Sequence, residues 1–189
     1  MKESQLRPHR PGIYEKVFFF LSGAIISVPF PALVNSMASA FLILSLPIPL
    51  ASFISLSIIA PVLEEFAKAY PLFYRHGETR RSIISLGFLS GLGFGVSEFL
   101  LYTLILSAPV VIRLPLIFFH AANTMIVAYG ISRGRSLVFY LIAVFFHAFY
   151  NFSVYTNQGL NLFSLITVFA SFSLALVSYR RSKEVPIAF

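Results

Sequence analysis

Six ionisable side chains lie inside the apolar stretches of this 189-residue chain. They are Glu64, Glu65, Lys68, Glu98, His120 and His147. An ionisable residue within a long apolar segment is costly and marks a functional site by default. Carboxylates and imidazoles exchange protons with water and bind divalent metal ions. These residue types therefore predict proton-transfer chemistry or a metal site.

The spacing of these residues places several polar groups on one face of a helix. Lys68 follows Glu64 by four residues and Glu65 by three, so its ammonium can reach either carboxylate. A four-residue spacing also joins two further pairs, His120 with Thr124 and His147 with Asn151. In a membrane, each such face must point away from lipid and into a helix bundle.

A stripe of small residues leads to Glu98. Gly87, Gly91 and Gly95 recur every four residues, and Glu98 comes next on the same helical face. Small residues at this spacing let membrane helices approach each other closely. We therefore expect this packing to direct the Glu98 carboxylate into the bundle.

The buried polar residues are predicted to meet at one depth. Counted at about 1.5 Å per residue from the flanking basic residues, Glu65, His120 and His147 lie roughly 15–20 Å into the membrane. The hydrocarbon core is about 30 Å thick, so this depth is near its midplane. Three Glu and one Lys give the cluster a charge of −2 when the histidines are neutral. That charge predicts protonated carboxyl groups, a bound metal or a water-filled cavity.

Two histidines and several glutamates also form a donor set suited to one divalent metal. Zinc is the metal that this combination of imidazole and carboxylate favours most. The candidate ligands are Glu65, Glu98, His120 and His147. Because the sequence has no cysteine, a thiolate zinc site and a cysteine nucleophile are excluded.

The composition places these residues in a membrane protein. Hydrophobic residues make up 58% of the chain and charged residues only 11%, with a mean hydropathy of +0.84. Ordinary soluble domains are about 25% charged, so nearly every soluble fold is excluded, as is a disordered chain. No polar linker divides the sequence, and we expect residues 1–189 to form a single integral-membrane domain in the lipid bilayer.

Prolines, glycines and charges divide the apolar sequence into about six predicted transmembrane helices. Their expected ranges are 15–44, 50–74, 82–107, 111–132, 136–156 and 160–179. The expected fold is therefore an all-α, multi-pass protein of the cell membrane.

The first predicted span has two alternatives. Residues 15–49 could instead hold one helix and a re-entrant or interfacial segment. The basic head, the apolar run and residues 38–40 (Ala-Ser-Ala) also resemble a signal peptide and its cleavage site. The apolar run is too long for a signal peptide, so we predict an uncleaved helix kinked by Pro29 and Pro31.

The basic residues predict the orientation of the helices. Six spans place twelve of the 14 Lys and Arg residues on one side of the membrane and Arg113 on the other. The twelve are Lys2, Arg7, Arg10, Lys16, Arg75, Arg80, Arg81, Arg133, Arg135, Arg180, Arg181 and Lys183. By the positive-inside rule, both termini are expected in the cytoplasm. The same asymmetry accounts for the net charge of +7 without a nucleic-acid partner.

Four short segments together resemble the PrsW-type intramembrane proteases. Their superfamily also contains the CAAX prenyl endopeptidases and bacteriocin-processing or immunity proteins. Residues 61–68 resemble the family's EExxK motif, residues 93–98 its FxxxE motif and residues 147–151 its HxxxN motif. Residues 120–124, which Arg113 precedes, resemble its histidine-containing helix. The four segments lie in family order on separate predicted helices within residues 50–156.

The prenyl-endopeptidase branch fits less well. That branch has an Arg four residues after its second Glu, where this sequence has Ala69 preceded by Lys68. It has a Phe four residues before its first His, where this sequence has Leu116. Glu98 has no counterpart in that pattern.

The resemblance implies hydrolysis of a peptide bond in a membrane-embedded protein or peptide. Glu64 is the expected base that activates a water, and His120 helps to hold that water. The other expected contributors are Glu65 for orientation, His147 and Asn151 as oxyanion donors, and Lys68, Glu98 and Thr124 in support. A metal-activated water and a metal-free mechanism both remain open.

Two other functions are compatible with the sequence. A proton-coupled transporter would also use buried Glu, His and Lys, although the sequence lacks the paired halves typical of transporters. A non-enzymatic membrane immunity or chaperone protein is the second. For a protease, candidate substrates are a single-span regulator, a small peptide precursor or a lipidated tail. The sequence does not define the oligomeric state.

Overall fold

The structure of the protein is a computed structural model that describes residues 10–74, 79–157 and 159–187. Its eight α-helices are Ile13–Leu21 (α1), Pro29–Ser45 (α2), Ile48–Ile54 (α3), Ala60–Ala69 (α4), Arg80–Leu100 (α5), Val110–Ser132 (α6), Ser136–Asn157 (α7) and Leu162–Arg181 (α8). Within the described ranges, the only β-type pairing is an isolated antiparallel bridge between Thr79 and Pro186. The predicted cytoplasmic residues Lys2, Arg7 and Arg75 lie outside the described residues.

In the described part of the chain, six helical segments are long and apolar enough to cross a membrane. They are Ile13–Ser45, Ile48–Tyr74, Arg80–Ile105, Val110–Ser132, Ser136–Asn157 and Leu162–Arg181. The prediction of an all-α protein with six transmembrane helices is confirmed, and the expected ranges agree within a few residues. The side on which the termini lie stays a prediction.

Among the residues that the structure describes, each of the first three spans contains one π-helical segment, and a proline follows each segment. The segments are Ser22–Ile26, Ser55–Ile59 and Leu101–Ile105, and the prolines are Pro29, Pro61 and Pro109. Proline lacks an N–H, so the helix before it loses backbone hydrogen bonds and adjusts its register. Ser27 and Val28 form a turn between the first π-helical segment and α2, which begins at Pro29.

Helix α5 lies between the first span and α6. Added Cβ atoms at Gly87, Gly91 and Gly95 would collide with α6, and one at Gly93 would collide with the backbone at Phe20. These glycines therefore let three backbones approach at distances that no larger residue permits. Helix α5, which is most of the third span, therefore packs closely against the first span on one face and against the fourth span on another.

The exposed surface of the spans is apolar. Most large side chains that face outward are Phe, Leu, Ile or Val, as lipid contact requires. The chain that follows α8 folds back, and the backbone N–H of Arg80 donates to the carbonyl of Val185 at 2.9 Å. Thr79 Oγ1 donates to Glu184 at 2.6 Å, which ties this tail to the start of α5.

Candidate functional site

Lys68 on α4 lies at the centre of a buried polar cluster. Its Nζ is 2.7 Å from Glu65 Oε1 and 3.0 Å from His120 Nδ1. An ammonium has three donors and no acceptor, so Lys68 donates to both atoms. Both members of the Glu65–Lys68 pair are fully buried. The ring of Phe94, whose centroid is 4.6 Å from Nζ, covers the cation.

His120 on α6 joins Lys68 to the third span. Its Nε2 is 2.7 Å from Glu98 Oε2 on α5. Because Nδ1 accepts a hydrogen from Lys68, Nε2 of the neutral imidazole carries the ring hydrogen and donates it to Glu98. A chain of hydrogen bonds therefore connects the second, fourth and third spans.

His147 on α7 completes the cluster from the fifth span. Its Nδ1 is 2.8 Å from Glu65 Oε1, and its Nε2 is 3.6 Å from Glu64 Oε2. The Glu65 carboxylate accepts from Lys68, so Nδ1 of His147 donates to the same oxygen and the Nε2 lone pair faces Glu64. Glu64 Oε2 is buried and has no hydrogen-bond partner among the described residues.

The glycine stripe of α5 sets the position of His120. A Cβ at Gly91 would lie 2.5 Å from the carbonyl oxygen of His120 and 2.6 Å from Thr124 Oγ1. One at Gly95 would lie 2.7 Å from the Ile117 backbone. The backbones of α5 and α6 are consequently in contact, and one turn beyond Gly95 the Glu98 carboxylate reaches the imidazole.

Asn123 is a buried member of the cluster that the sequence interpretation did not select. Its Nδ2 lies 3.5 Å from Glu65 Oε1, and its Oδ1 accepts a 2.6 Å hydrogen bond from Ser171 on α8. All six spans except the first therefore contribute a side chain to the network. The available signal was an amide three residues after His120 in an otherwise apolar span.

Two of the predicted residues contact backbone instead of the buried charges. Thr124 Oγ1 donates to the carbonyl of His120 in its own helix at 3.0 Å. Asn151 Nδ2 donates to the carbonyl of Leu56 at 2.9 Å, although Asn151 also lines the cavity described next.

A cavity of about 480 Å³ lies beside the cluster and gives access to Glu64, Glu98 and His147. Its walls come from α2, the second and third π-helical segments and helices α4–α7. The lining residues with polar side chains are Asn35, Ser36, Glu64, Glu98, Tyr102, Arg113, His147, Tyr150, Asn151 and Tyr155. Glu64 and Glu98 line the cavity, and the exposed fractions of their side chains are 17% and 18%. The side chains of Glu65 and Lys68 are fully buried and do not line it.

The residues that surround Glu64 fit a divalent metal ion. Glu64, His120 and His147 each offer one ligand atom, and these atoms all lie within 4.8 Å of one another. Two ligands of a tetrahedral metal with bonds of about 2.1 Å are about 3.4 Å apart. The 3.6 Å between His147 Nε2 and Glu64 Oε2 is close to that value.

Two of the ligands predicted from the sequence, His120 and Glu65, are held by other hydrogen bonds and are less free to bind a metal. His120 Nε2 is available as a ligand only when it releases Glu98. Its ring hydrogen must then leave Nε2, and Nδ1 can take it only if Lys68 no longer donates to Nδ1. Glu65 Oε1 already accepts from Lys68 and His147, which is the usual arrangement for a carboxylate that orients a metal-binding imidazole.

The fold and the site together define a multi-pass membrane protein with a Glu/His centre inside its helical bundle, beside a cavity. Such a centre suits the activation of water for hydrolysis. The chain belongs to the PrsW family: its residues 14–177 match the family described as PrsW family intramembrane metalloprotease. The protein is therefore a protease, which favours the enzymatic interpretation over a transporter or an immunity protein. Comparisons with curated proteins and with solved structures found no match.

Proposed function

We propose that this protein cleaves a peptide bond of a membrane-embedded protein or peptide by using a water held between Glu64 and His147. The pair of atoms that carries this proposal is Glu64 Oε2 and His147 Nε2, which are 3.6 Å apart and belong to two residues that line the cavity. Both are acceptors in the assigned protonation states, so a water between them can donate one hydrogen to each.

Glu64 is the general base in this proposal. Its carboxylate takes a proton from the water as the water oxygen attacks the scissile carbonyl carbon. The same group then returns the proton to the leaving amine nitrogen when the C–N bond breaks. The buried position of Oε2 without a hydrogen-bond partner among the described residues leaves that oxygen available for the water.

Glu65 and Lys68 hold His147 in the required orientation. The Glu65 carboxylate fixes the Nδ1–H tautomer of His147, and Lys68 compensates the buried negative charge. One of the two N–H groups of Asn151 donates to Leu56, and we assign the second as a donor to the oxyanion. These residues act on geometry and charge, whereas Glu64 carries the proton.

The metal of this family would be held by Glu64, His120 and His147, and zinc fits that donor set. When bound, it would polarise the carbonyl and raise the acidity of the water. Glu98, which accepts from His120 Nε2 in the structure, would then have to release that atom.

The decisive experiment compares membranes from cells that produce the wild-type protein or Glu64→Gln. We expect a membrane protein to accumulate uncleaved with Glu64→Gln, because an amide cannot accept the proton of water. Glu184→Gln is the matched control, since Glu184 accepts from Thr79 far from the cluster and a glutamine oxygen can do the same. Continued cleavage by Glu64→Gln, inserted at the wild-type level, would falsify the proposal.

A further inference from the structure

Arg113 is a cation in the wall of the cavity that the proposed chemistry does not use. It is the fourth residue of α6, and its Cζ lies 3.5 Å from the centroid of the Tyr102 ring. Arg113 lines the same cavity as Glu64 and His147. Its side chain therefore borders the same space as the two residues that hold the proposed catalytic water.

Arg113 forms no ion pair within 4 Å among the described residues. Its guanidinium donates a hydrogen bond to Tyr102, and Glu98, the carboxylate that interacts with it electrostatically, is hydrogen-bonded to His120. A charged side chain in a membrane-spanning helix normally pairs with an opposite charge or belongs to a functional site. Arg113 is also the one basic residue that the six-helix topology places away from the other twelve flanking residues. Topology does not require a positive charge at this position, so its presence calls for a ligand.

The distance from Arg113 to the reaction centre follows from the helix. Arg113 and His120 are seven positions apart, which is about two helical turns, so both side chains leave α6 on the same face about 10 Å apart. An extended peptide advances about 3.3 Å per residue. A group bound at Arg113 would therefore lie about three residues from the bond that is cleaved.

We propose that Arg113 binds a carboxylate of the substrate, two to four residues from the scissile bond and nearer the membrane surface at which α6 begins. A guanidinium presents a planar pair of N–H donors that matches a carboxylate, and its position in the first turn of α6 keeps that carboxylate close to water. This inference rests on the proposed protease function and adds a substrate requirement: an acidic side chain, or a chain end, next to the membrane boundary.

The test uses the membrane protein that accumulates with Glu64→Gln. A peptide that contains its cleavage site is placed in lipid vesicles. In a set of variants, one residue that lies two to four positions from the cleaved bond, on either side, is changed to Glu, Gln or Lys. Wild-type protein should cleave the best Glu peptide about tenfold or more faster than the matching Gln peptide. Arg113→Gln should lose this preference, Arg113→Lys should keep part of it, and Arg113→Glu should prefer Lys. Peptides truncated at that position, with a free or amidated end, distinguish a chain end from a side chain.

Arg133→Gln is the matched control, because Arg133 also lies against a tyrosine, Tyr129, but at the opposite end of α6. It should keep the wild-type preference for Glu. Equal cleavage of the Glu and Gln peptides by wild-type protein would overturn the role of Arg113 while leaving the protease function intact. Failure of the proposed function looks different, because Glu64→Gln then causes no protein to accumulate.

Discussion

The side-chain amide of Asn151 on α7 donates a 2.9 Å hydrogen bond to the backbone carbonyl of Leu56 in the second span. Leu56 belongs to the π-helical segment Ser55–Ile59, and a π-helical carbonyl accepts from the N–H five positions later, as Ser55 does from Ala60. For Leu56 the residue five positions later is Pro61, which has no N–H. Asn151 therefore replaces a missing backbone bond and ties the helix of His147 to the helix of Glu64.

Replacing Asn151 with leucine removes this donor while keeping the size of the side chain. The Leu56 carbonyl then loses its partner, and we expect Asn151→Leu to lower the stability by about 1–2 kcal/mol and to reduce cleavage. Thermal unfolding in lipid nanodiscs measures the first effect. Asn157→Leu is the control, because Asn157 donates to Ser153 within its own helix and should change stability much less. Equal losses in the two variants would contradict the interhelical role of Asn151.

Because α5 and α6 are in close contact, the effect of a glycine-to-serine substitution on stability should depend strongly on where it is made. Gly91→Ser adds a Cβ only 2.5 Å from the His120 carbonyl, and backbone cannot move aside cheaply. We expect a loss of about 1–3 kcal/mol and a weaker Glu98–His120 contact. The same change at Gly12 meets nothing within 4 Å and leaves a good helix N-cap. If Gly12→Ser and Gly91→Ser unfold at the same temperature, the close approach is not important for stability.

The buried ion pair predicts non-additive effects. Lys68→Met leaves the Glu65 carboxylate buried next to a neutral side chain, and breaking such a pair costs about 3–5 kcal/mol. Adding Glu65→Gln removes the uncompensated charge, so the double variant should be more stable than the sum of the single effects by about 1–3 kcal/mol. Unfolding temperatures of the four proteins in the cycle measure this coupling. Additive losses would mean that the two charges do not interact.

The sequence predicted the spans and most of the cluster because both follow from rules of membrane solvation. Apolar length defines a span, and an ionisable residue within a span must face inward. Which atoms meet could not be predicted, since helical spacing alone leaves Lys68 within reach of Glu64 and Glu65 alike. The structure places it on Glu65, which leaves Glu64 facing the cavity.

Asn123 and the Asn151 contact were missed for a related reason. Both depend on neighbouring helices, through Ser171 and through the carbonyl of Leu56. Spacing within one helix carries no information about the partner that another helix supplies. The Pro61 position was visible in the sequence, but the π-helical register that frees the Leu56 carbonyl was not.

The predicted orientation can be tested directly, because the natural sequence has no cysteine. Leu106→Cys and Arg135→Cys place single thiols in two loops that should lie on opposite sides of the membrane. With a membrane-impermeant maleimide, we expect Leu106→Cys to react in intact cells and Arg135→Cys only after the membrane is opened. The reverse result would place the termini and the twelve flanking basic residues outside the cytoplasm and Arg113 on the cytoplasmic side.

Metal content distinguishes the ligands from the residues that orient them. Purified wild-type protein should hold about one equivalent of zinc. Glu64→Gln and His147→Leu should each lose most of this zinc, because each substitution removes a ligand atom. Glu65→Gln removes only the partner of His147 Nδ1 and should weaken zinc affinity about 10–100-fold without changing the stoichiometry at saturation. Glu184→Gln should bind like wild type. Titration with a zinc-competing chelator measures all four variants, and a Glu65→Gln loss as complete as that of Glu64→Gln would make Glu65 a direct ligand.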